Sequence, residues 1–202
     1  MDLLLVLVRH GITDWNEQGR LLGRAEIGLN ERGRAQARAV AEALAGRRLE
    51  AVLASPQRRA QETAAPIAAA HGLAMRSEPD LAEVWVGHWQ GKTYEDLRGD
   101  ADAEAYATDG LHVCAAIEDA RSVQRRMIAL LDRLRAGEHG ARVCLVSHGD
   151  PIRLLLTHCL GAELPVYRRL QVAPGSVSLV RAGAQRSEVL CVNLRPGASA
   201  PE

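Results

Sequence analysis

The hydrophobic pattern of the chain alternates between short, continuously apolar runs and longer amphipathic segments. Residues Leu3–Val8 are apolar at every position, which is typical of a strand covered on both faces of a sheet. After Asn30, a predicted N-cap, apolar residues recur every three or four positions, which predicts a helix ending near Gly46. Leu49–Ser55 fits a second buried strand, and Gln57–Ala70 fits another helix.

The same alternation returns in the second half of the chain. Ala141–Ser147 is predicted to be a strand, and Pro151–Leu160 a helix with Asp150 as its N-cap and proline in its first position. Ser176–Ala182 and Ser187–Leu194 flank a glycine-containing turn, which predicts a hairpin at the sheet edge. One further helical face is formed by Val123, Met127, Leu130, Leu131 and Leu134.

Alternating strands and helices predict an α/β fold, a three-layer sandwich with a mainly parallel central sheet covered by helices. A chain of 202 residues with 47% hydrophobic content can bury one substantial core, so residues 1–202 are predicted to form a single domain. Residues 87–119 are less periodic and more polar, which predicts a small helical cap or insertion. Residues 195–202 are predicted to be a frayed tail.

The composition excludes several classes of function. Basic and acidic residues balance at 25 each, which argues against nucleic-acid or membrane-surface partners. The four cysteines lie far apart without a CxxC pair, so neither a metal site nor a disulfide framework is predicted. The opening apolar run is too short for a signal peptide, and no stretch reaches the length of a membrane span. We therefore expect a cytoplasmic protein with reduced thiols.

Chemically active side chains follow the three clearest predicted strands. "RHG" begins at Arg9, "SPQRRA" contains Arg58 and Arg59, and "SHGD" contains His148. The carboxyl ends of parallel strands meet at one edge of a sheet, where ligands bind in α/β folds. Two imidazoles and two guanidinium groups together favour an anion, and a phosphoryl group fits the bidentate fork of arginine.

Phosphoryl transfer would also need a nucleophile and an acid. A neutral His10 imidazole can attack phosphorus and form a phosphohistidine, which divides one displacement into two. A departing alkoxide then needs a proton, and Glu83 lies among apolar neighbours that can raise the pKa of its carboxyl. Asp150 is the alternative acid, unless it serves only as a helix cap.

Five ordered blocks of the sequence resemble the histidine phosphatase superfamily, also called phosphoglycerate-mutase-like, and specifically its phosphatase-like branch. The resemblance covers nearly the whole chain. The blocks are "LVRHGITDWN", "GLNERGRAQARAVAEAL", "SPQRRAQETAAPI", "LAEVWVGHWQG" and "VSHGDPIR".

The resemblance implies a role for each matching residue. His10 would be the phosphorylated nucleophile and Glu83 the acid, while Arg9, Arg59 and His148 would form the phosphate pocket. Additional substrate contacts are expected from Asn16, Thr13 and Gly149. No metal or cofactor is implied.

Three functions remain in view. The first is a metal-independent phosphomonoesterase that hydrolyses a small phosphorylated metabolite through a phosphohistidine. The second is phosphoryl transfer of the phosphoglycerate-mutase type, although the extended insertion of those mutases is missing from "VGHWQGKTYEDLRGDADAEAY". The third is a catalytically inactive phosphate-binding scaffold, against which the retention of both histidines, both arginines and the acid argues. The oligomeric state stays open, with a homodimer as one alternative.

Overall fold

A single six-stranded sheet forms the centre of the protein, as seen in a computed structural model that describes residues 2–109, 111, 114, 117–184 and 186–197. The order of the strands across the sheet is β3-β2-β4-β1-β5-β6. Only β5 runs against the other five, since β1 to β4 pair in parallel and β6 turns back beside β5. The strands are β1 (Leu3–Arg9), β2 (Ala51–Ala54), β3 (Met75–Ser77), β4 (Arg142–Ser147), β5 (Val177–Ala182) and β6 (Ser187–Leu194).

Helices cover both faces of this sheet. Short 3₁₀ turns at Pro79–Leu81, Gly87–Trp89 and Leu164–Arg169 lie in the connections. The α-helices are α1 (Asp14–Glu17), α2 (Glu31–Leu44), α3 (Arg58–Ala70), α4 (Ala101–Asp109), α5 (Ala120–Arg135) and α6 (Gly149–Cys159). Within the described part of the chain, no helix has the length and apolar character needed to cross a bilayer.

The apolar run of β1 explains the three layers. Side chains alternate between the two faces of a strand, so a strand covered on both sides must be apolar throughout. Leu5 and Leu7 pack with α5 and α6, whereas Val6 and Val8 pack with α2 and α3. The two cores are thus separated by the sheet itself.

The register of the sheet brings three strand ends together. Arg9 at the end of β1 lies opposite Ser147 at the end of β4, and Ala54 at the end of β2 lies opposite Val146. The residues that follow these strands therefore emerge side by side at the same edge.

Two glycines allow α2 to approach the loop after β1 closely. A Cβ at Gly33 would lie 2.1 Å from the backbone oxygen of Ile12, and one at Gly11 would lie 2.5 Å from that of Gly33. Any side chain at either position would push the start of α2 away from the loop that carries His10. This contact fixes one wall of the site.

The predicted fold class is confirmed, including the mainly parallel sheet and the carboxyl-terminal hairpin at its edge. The predicted capping role of Asp150 is wrong. The helix begins at Gly149, so His148 is its N-cap and Asp150 lies in its first turn, because the chain becomes helical immediately after β4. The predicted cap region contains α4, and part of the predicted tail, residues 198–202, lies outside the described residues.

Candidate active site

His10 lies directly after β1 and is 1% exposed. Its Nδ1 lies 2.7 Å from the backbone oxygen of Gly11. A carbonyl oxygen can only accept a hydrogen bond, so Nδ1 carries the proton and donates it, which leaves Nε2 with a free lone pair. Burial, with the positive charges of Arg59 and Arg9, lowers the pKa of His10 well below its ordinary value. The ring is therefore held neutral, in one tautomer.

Two arginines supply positive charge beside this ring. Arg59, in the first turn of α3, is fully buried and donates from its two terminal nitrogens to the backbone oxygens of Ala25 and Gly23, at 2.9 and 2.7 Å. Arg9 donates from Nη1 to the backbone oxygen of Val172 at 2.6 Å. Within the described part of the chain, Nε of both guanidinium groups is buried and unpartnered. These contacts hold the two cations in place.

His148, the N-cap of α6, is fully buried next to His10, and the two ring centroids are 5.0 Å apart. Its Nε2 lies 2.7 Å from Oγ of Ser55. Gly149 follows as the first residue of α6, and a Cβ there would lie 3.5 Å from Cζ of Arg9. The amino-terminal end of α6, with its free N–H groups, thus packs against the Arg9 guanidinium and favours an anion at this place.

Glu83 supplies the carboxyl group of the site. Its Oε1 accepts a hydrogen bond from the backbone N–H of Val84 at 3.0 Å, and its Oε2 lies 3.9 Å from Nδ1 of His148. Burial, followed by the negative charge of Asp150, raises the pKa of Glu83 to about 7, although Arg59 opposes the increase. The carboxyl is therefore partly protonated near neutral pH, as a proton donor must be.

Asn16 and Thr13 form the capping box of the short helix α1. The Thr13 hydroxyl donates to Oδ1 of Asn16 at 3.0 Å and accepts from the Asn16 backbone N–H at 3.2 Å. Thr13 is fully buried, whereas Asn16 lines the cavity beside His10. The hydroxyl that we expected to contact substrate is thus engaged in orienting Asn16.

A cavity of about 190 Å³ opens over His10. The expected residues Arg9, Asn16, Glu83 and Gly149 contribute to its wall. Arg59 and His148 lie buried behind it. The remaining wall consists of Arg20, Leu21, Leu22, Gly23, Val84, Val86, Asp150 and Arg153. Of these, only Asp150 was a candidate from the sequence, as the alternative acid.

These residues come from loops and from the start of α6, where Asp150 and Arg153 are half-buried. Asp150 pairs with Arg153 at 2.9 Å across one turn of the helix, so its carboxylate is engaged at the rim. The "SHGD" motif had marked Asp150 as an alternative acid or a helix cap, and the structure places it in the cavity wall. Leu21 and Leu22 carry no chemical signal at all, because an apolar loop residue looks alike in a core and at a pocket.

The geometry combines an unprotonated ring nitrogen, two fixed guanidinium groups and a partly protonated carboxyl in and directly around one small cavity. These are the components for binding a phosphoryl group and transferring it in two steps. A family model for the histidine phosphatase superfamily (branch 1) matches residues 5–195. The chain belongs to this superfamily.

Other members of the histidine phosphatase superfamily resemble the chain over most of its length. The Bifunctional protein Rv2228c of Mycobacterium tuberculosis is 37% identical over 179 residues, which are 87% of this chain and 49% of that protein. The Probable phosphoglycerate mutase GpmB of Yersinia pestis is 32% identical over 182 residues, 88% of this chain and 84% of the relative. The chain therefore spans about half the length of the first of these relatives.

A solved structure superposes closely on this chain although the two sequences share fewer than a third of their residues. The mycobacterial glucosyl-3-phosphoglycerate phosphatase Rv2419c, solved in complex with VO3, superposes with a TM-score of 0.86 at 30% identity. The superposition covers 95% of this chain and 99% of that one. The superfamily thus includes a phosphatase with the same architecture along nearly the entire chain.

Proposed function

We propose that the protein is a phosphomonoesterase that hydrolyses a small phosphorylated metabolite through a phosphohistidine at His10. One observation carries this proposal. The Nδ1–H of His10 is committed to the Gly11 carbonyl, so a neutral imidazole presents the lone pair of Nε2 beside fixed cations. A histidine with a purely structural role would have no need of this combination.

The first step forms the phosphoenzyme. The Nε2 lone pair attacks phosphorus while the bond from phosphorus to the ester oxygen breaks, and Glu83 gives its proton to the leaving alkoxide. Arg9, Arg59 and the N–H groups at the start of α6 neutralise the charge on the phosphoryl oxygens. Asn16 adds an amide donor.

The second step regenerates the enzyme. Water attacks the phosphorus and gives a proton to the Glu83 carboxylate, while the P–N bond breaks and its electron pair returns to Nε2. Glu83 thus ends each cycle protonated, as it began. Because the guanidinium groups supply the positive charge, we propose that turnover is independent of metal ions.

A panel of small phosphorylated metabolites, with p-nitrophenyl phosphate as the generic substrate, tests the proposal. Release of inorganic phosphate should depend on His10, should be inhibited by vanadate and should survive EDTA. Isomerisation of phosphoglycerates without release of phosphate would instead support the mutase alternative, which the likeness to GpmB keeps in consideration. Activity that EDTA abolishes and a divalent metal restores would contradict the metal-free mechanism.

A further inference from the structure

A chain of buried polar groups connects Nε2 of His148 to the backbone N–H of Glu83. Nε2 of His148 lies 2.7 Å from the Ser55 hydroxyl oxygen. The Ser55 hydroxyl donates to Oε1 of Gln57 at 2.5 Å. The same Oε1 accepts the backbone N–H of Glu83 at 3.2 Å. Ser55, Gln57 and His148 are all at most 5% exposed, so water does not compete for these groups.

The hydrogens in this chain can be placed in only one way. The Glu83 backbone N–H can only donate, so the Gln57 atom that faces it must be the oxygen rather than the amide nitrogen. That oxygen can only accept, so the single hydroxyl hydrogen of Ser55 must point toward it. The lone pairs of Ser55 Oγ then face His148. His148 must therefore carry a hydrogen on Nε2 and donate it.

This arrangement determines what the other ring nitrogen offers. A neutral imidazole carries one hydrogen, so Nδ1 of His148 is bare. It lies 3.9 Å from Oε2 of Glu83, and among the described residues it is buried without a hydrogen-bond partner. A buried, unpartnered nitrogen beside a carboxyl that lines the cavity is costly unless a ligand completes it.

We propose that Ser55 and Gln57 are positioning residues that fix His148 as the Nε2–H tautomer, so that Nδ1 takes up a proton from solvent when a phosphoryl dianion binds. This inference rests on the proposed function in so far as it names the phosphoryl group as the ligand. The tautomer itself follows from the hydrogen-bond chain alone.

The charges around His148 explain why proton uptake accompanies binding. Burial is the largest cause that lowers the pKa of His148 well below its ordinary value. The nearby groups lower it further, namely Arg59, His10, Arg9 and Arg126. Glu83 faces the ring at Nδ1. A dianion placed among these groups adds negative charge and an acceptor for an Nδ1–H, and both favour the imidazolium.

The tautomer can be measured without any substrate. Long-range ¹⁵N–¹H correlation spectra of the ligand-free protein at pH 8 distinguish Nε2–H from Nδ1–H, and the loss of signals in His148→Gln assigns the ring. The wild type should show the Nε2–H form. A wild-type His148 that is predominantly Nδ1–H would overturn the proposal.

Two substitutions test whether the hydrogen-bond chain through Ser55 and Gln57, here called the relay, sets the tautomer of His148 or whether packing alone does. Gln57→Met removes the acceptor of the Ser55 hydrogen, which can then be donated to Nε2, so the tautomer should change to Nδ1–H. Ser55→Ala removes the acceptor for Nε2–H and should leave a mixture of tautomers. Ser147→Ala is the matched control, because it deletes a buried hydroxyl whose hydrogen bond goes to the backbone oxygen of Leu81, at 2.7 Å, instead of to the ring. A control that alters the tautomer as much as Ser55→Ala, or a Gln57→Met that leaves it unchanged, would contradict the relay.

Binding of orthovanadate tests the proton uptake. The same spectra should show both ring nitrogens of His148 protonated in the vanadate complex, and calorimetry in buffers of different ionisation enthalpy should detect the proton taken up. Ser55→Ala should weaken vanadate binding about tenfold, because the imidazolium loses a buried acceptor. A bare Nδ1 in the complex would overturn the uptake. Failure of vanadate to bind would contradict both the proposed function and the proton uptake. The tautomer of His148 would still be confirmed or contradicted by the spectra of the ligand-free protein.

Discussion

Glu83→Gln should separate the contribution of this carboxyl to stability from its contribution to catalysis. The pKa of Glu83 rises from 4.5 to about 7 on folding, chiefly because its side chain is only 16% exposed. This increase corresponds to about 3 kcal/mol of destabilisation of the ionised carboxylate in the folded protein, since a tenfold change in an equilibrium constant is worth about 1.4 kcal/mol. Glutamine keeps the shape and the acceptor for the Val84 N–H but carries no charge.

The sign follows from linkage. A carboxyl whose pKa is higher in the folded state binds its proton more tightly there, so its contribution to stability is largest below pH 4.5 and is lost as the pH rises through about 7. Glu83→Gln should therefore increase the free energy of unfolding at pH 8.5 by about 2 to 3 kcal/mol and change it little at pH 4.5. Urea denaturation at the two pH values measures the difference.

An exposed carboxylate provides the control for this measurement. Glu42→Gln, on the exposed face of α2, should change the free energy of unfolding by less than about 0.5 kcal/mol at either pH. A Glu83→Gln variant that is destabilised at pH 8.5, or one stabilised equally at both pH values, would contradict the raised pKa of the buried Glu83 carboxyl.

The same variant should lose activity according to the leaving group. An alkoxide departs only with a proton, whereas p-nitrophenolate departs without one. Glu83→Gln should therefore reduce kcat on alkyl phosphates by about 100-fold or more, with a much smaller loss on p-nitrophenyl phosphate. Equal losses on both substrates would mean that Glu83 does not act as the proton donor.

Three further substitutions test the walls of the site. Arg59→Lys should lower kcat/KM on p-nitrophenyl phosphate by about tenfold or more, because a lysine cannot reproduce the guanidinium fork; near-normal kinetics would contradict this role. Gly33→Ala places a Cβ 2.1 Å from the Ile12 oxygen and should lower the free energy of unfolding by about 1–3 kcal/mol, as urea denaturation would show; unchanged stability would count against the close contact. Asp150→Asn removes a charge that raises the pKa of Glu83, so the alkaline limb of the alkyl-phosphate pH profile should move to lower pH, and a profile that stays in place would be evidence against this coupling.

The sequence sufficed to predict the sheet and its helices because their periodicity is strong. The apolar pattern of β1, α2 and α5 indicates which surface of each element is buried. Polar residues follow directly after β1, β2 and β4, and the parallel order of these strands places them at one edge of the sheet. The short strand β3 was missed because Met75–Ser77 is half polar and has no periodicity to detect. Helix α1 was missed because four residues are too few to show a pattern.

The site could be predicted only where a residue type carries its own chemistry. Histidine and arginine at strand ends do so, but the role of Ser55 depends on where three buried hydrogens point, which no spacing reveals. For Asp150 the capping signal in the sequence was misleading. An aspartate before proline is a good capping signal, yet the helix starts two residues earlier than predicted, so the side chain is left at the rim.

The residue that carries the transferred phosphoryl group shows whether His10 is the nucleophile. The protein is mixed with p-nitrophenyl phosphate, quenched in alkali during turnover and digested, and the modified peptide is sequenced by mass spectrometry. We expect an acid-labile phosphoramidate on His10, attached at Nε2 because Nδ1 is committed to Gly11, and none in His10→Ala. Turnover without any phosphohistidine, or the group on another residue, would contradict this role of His10.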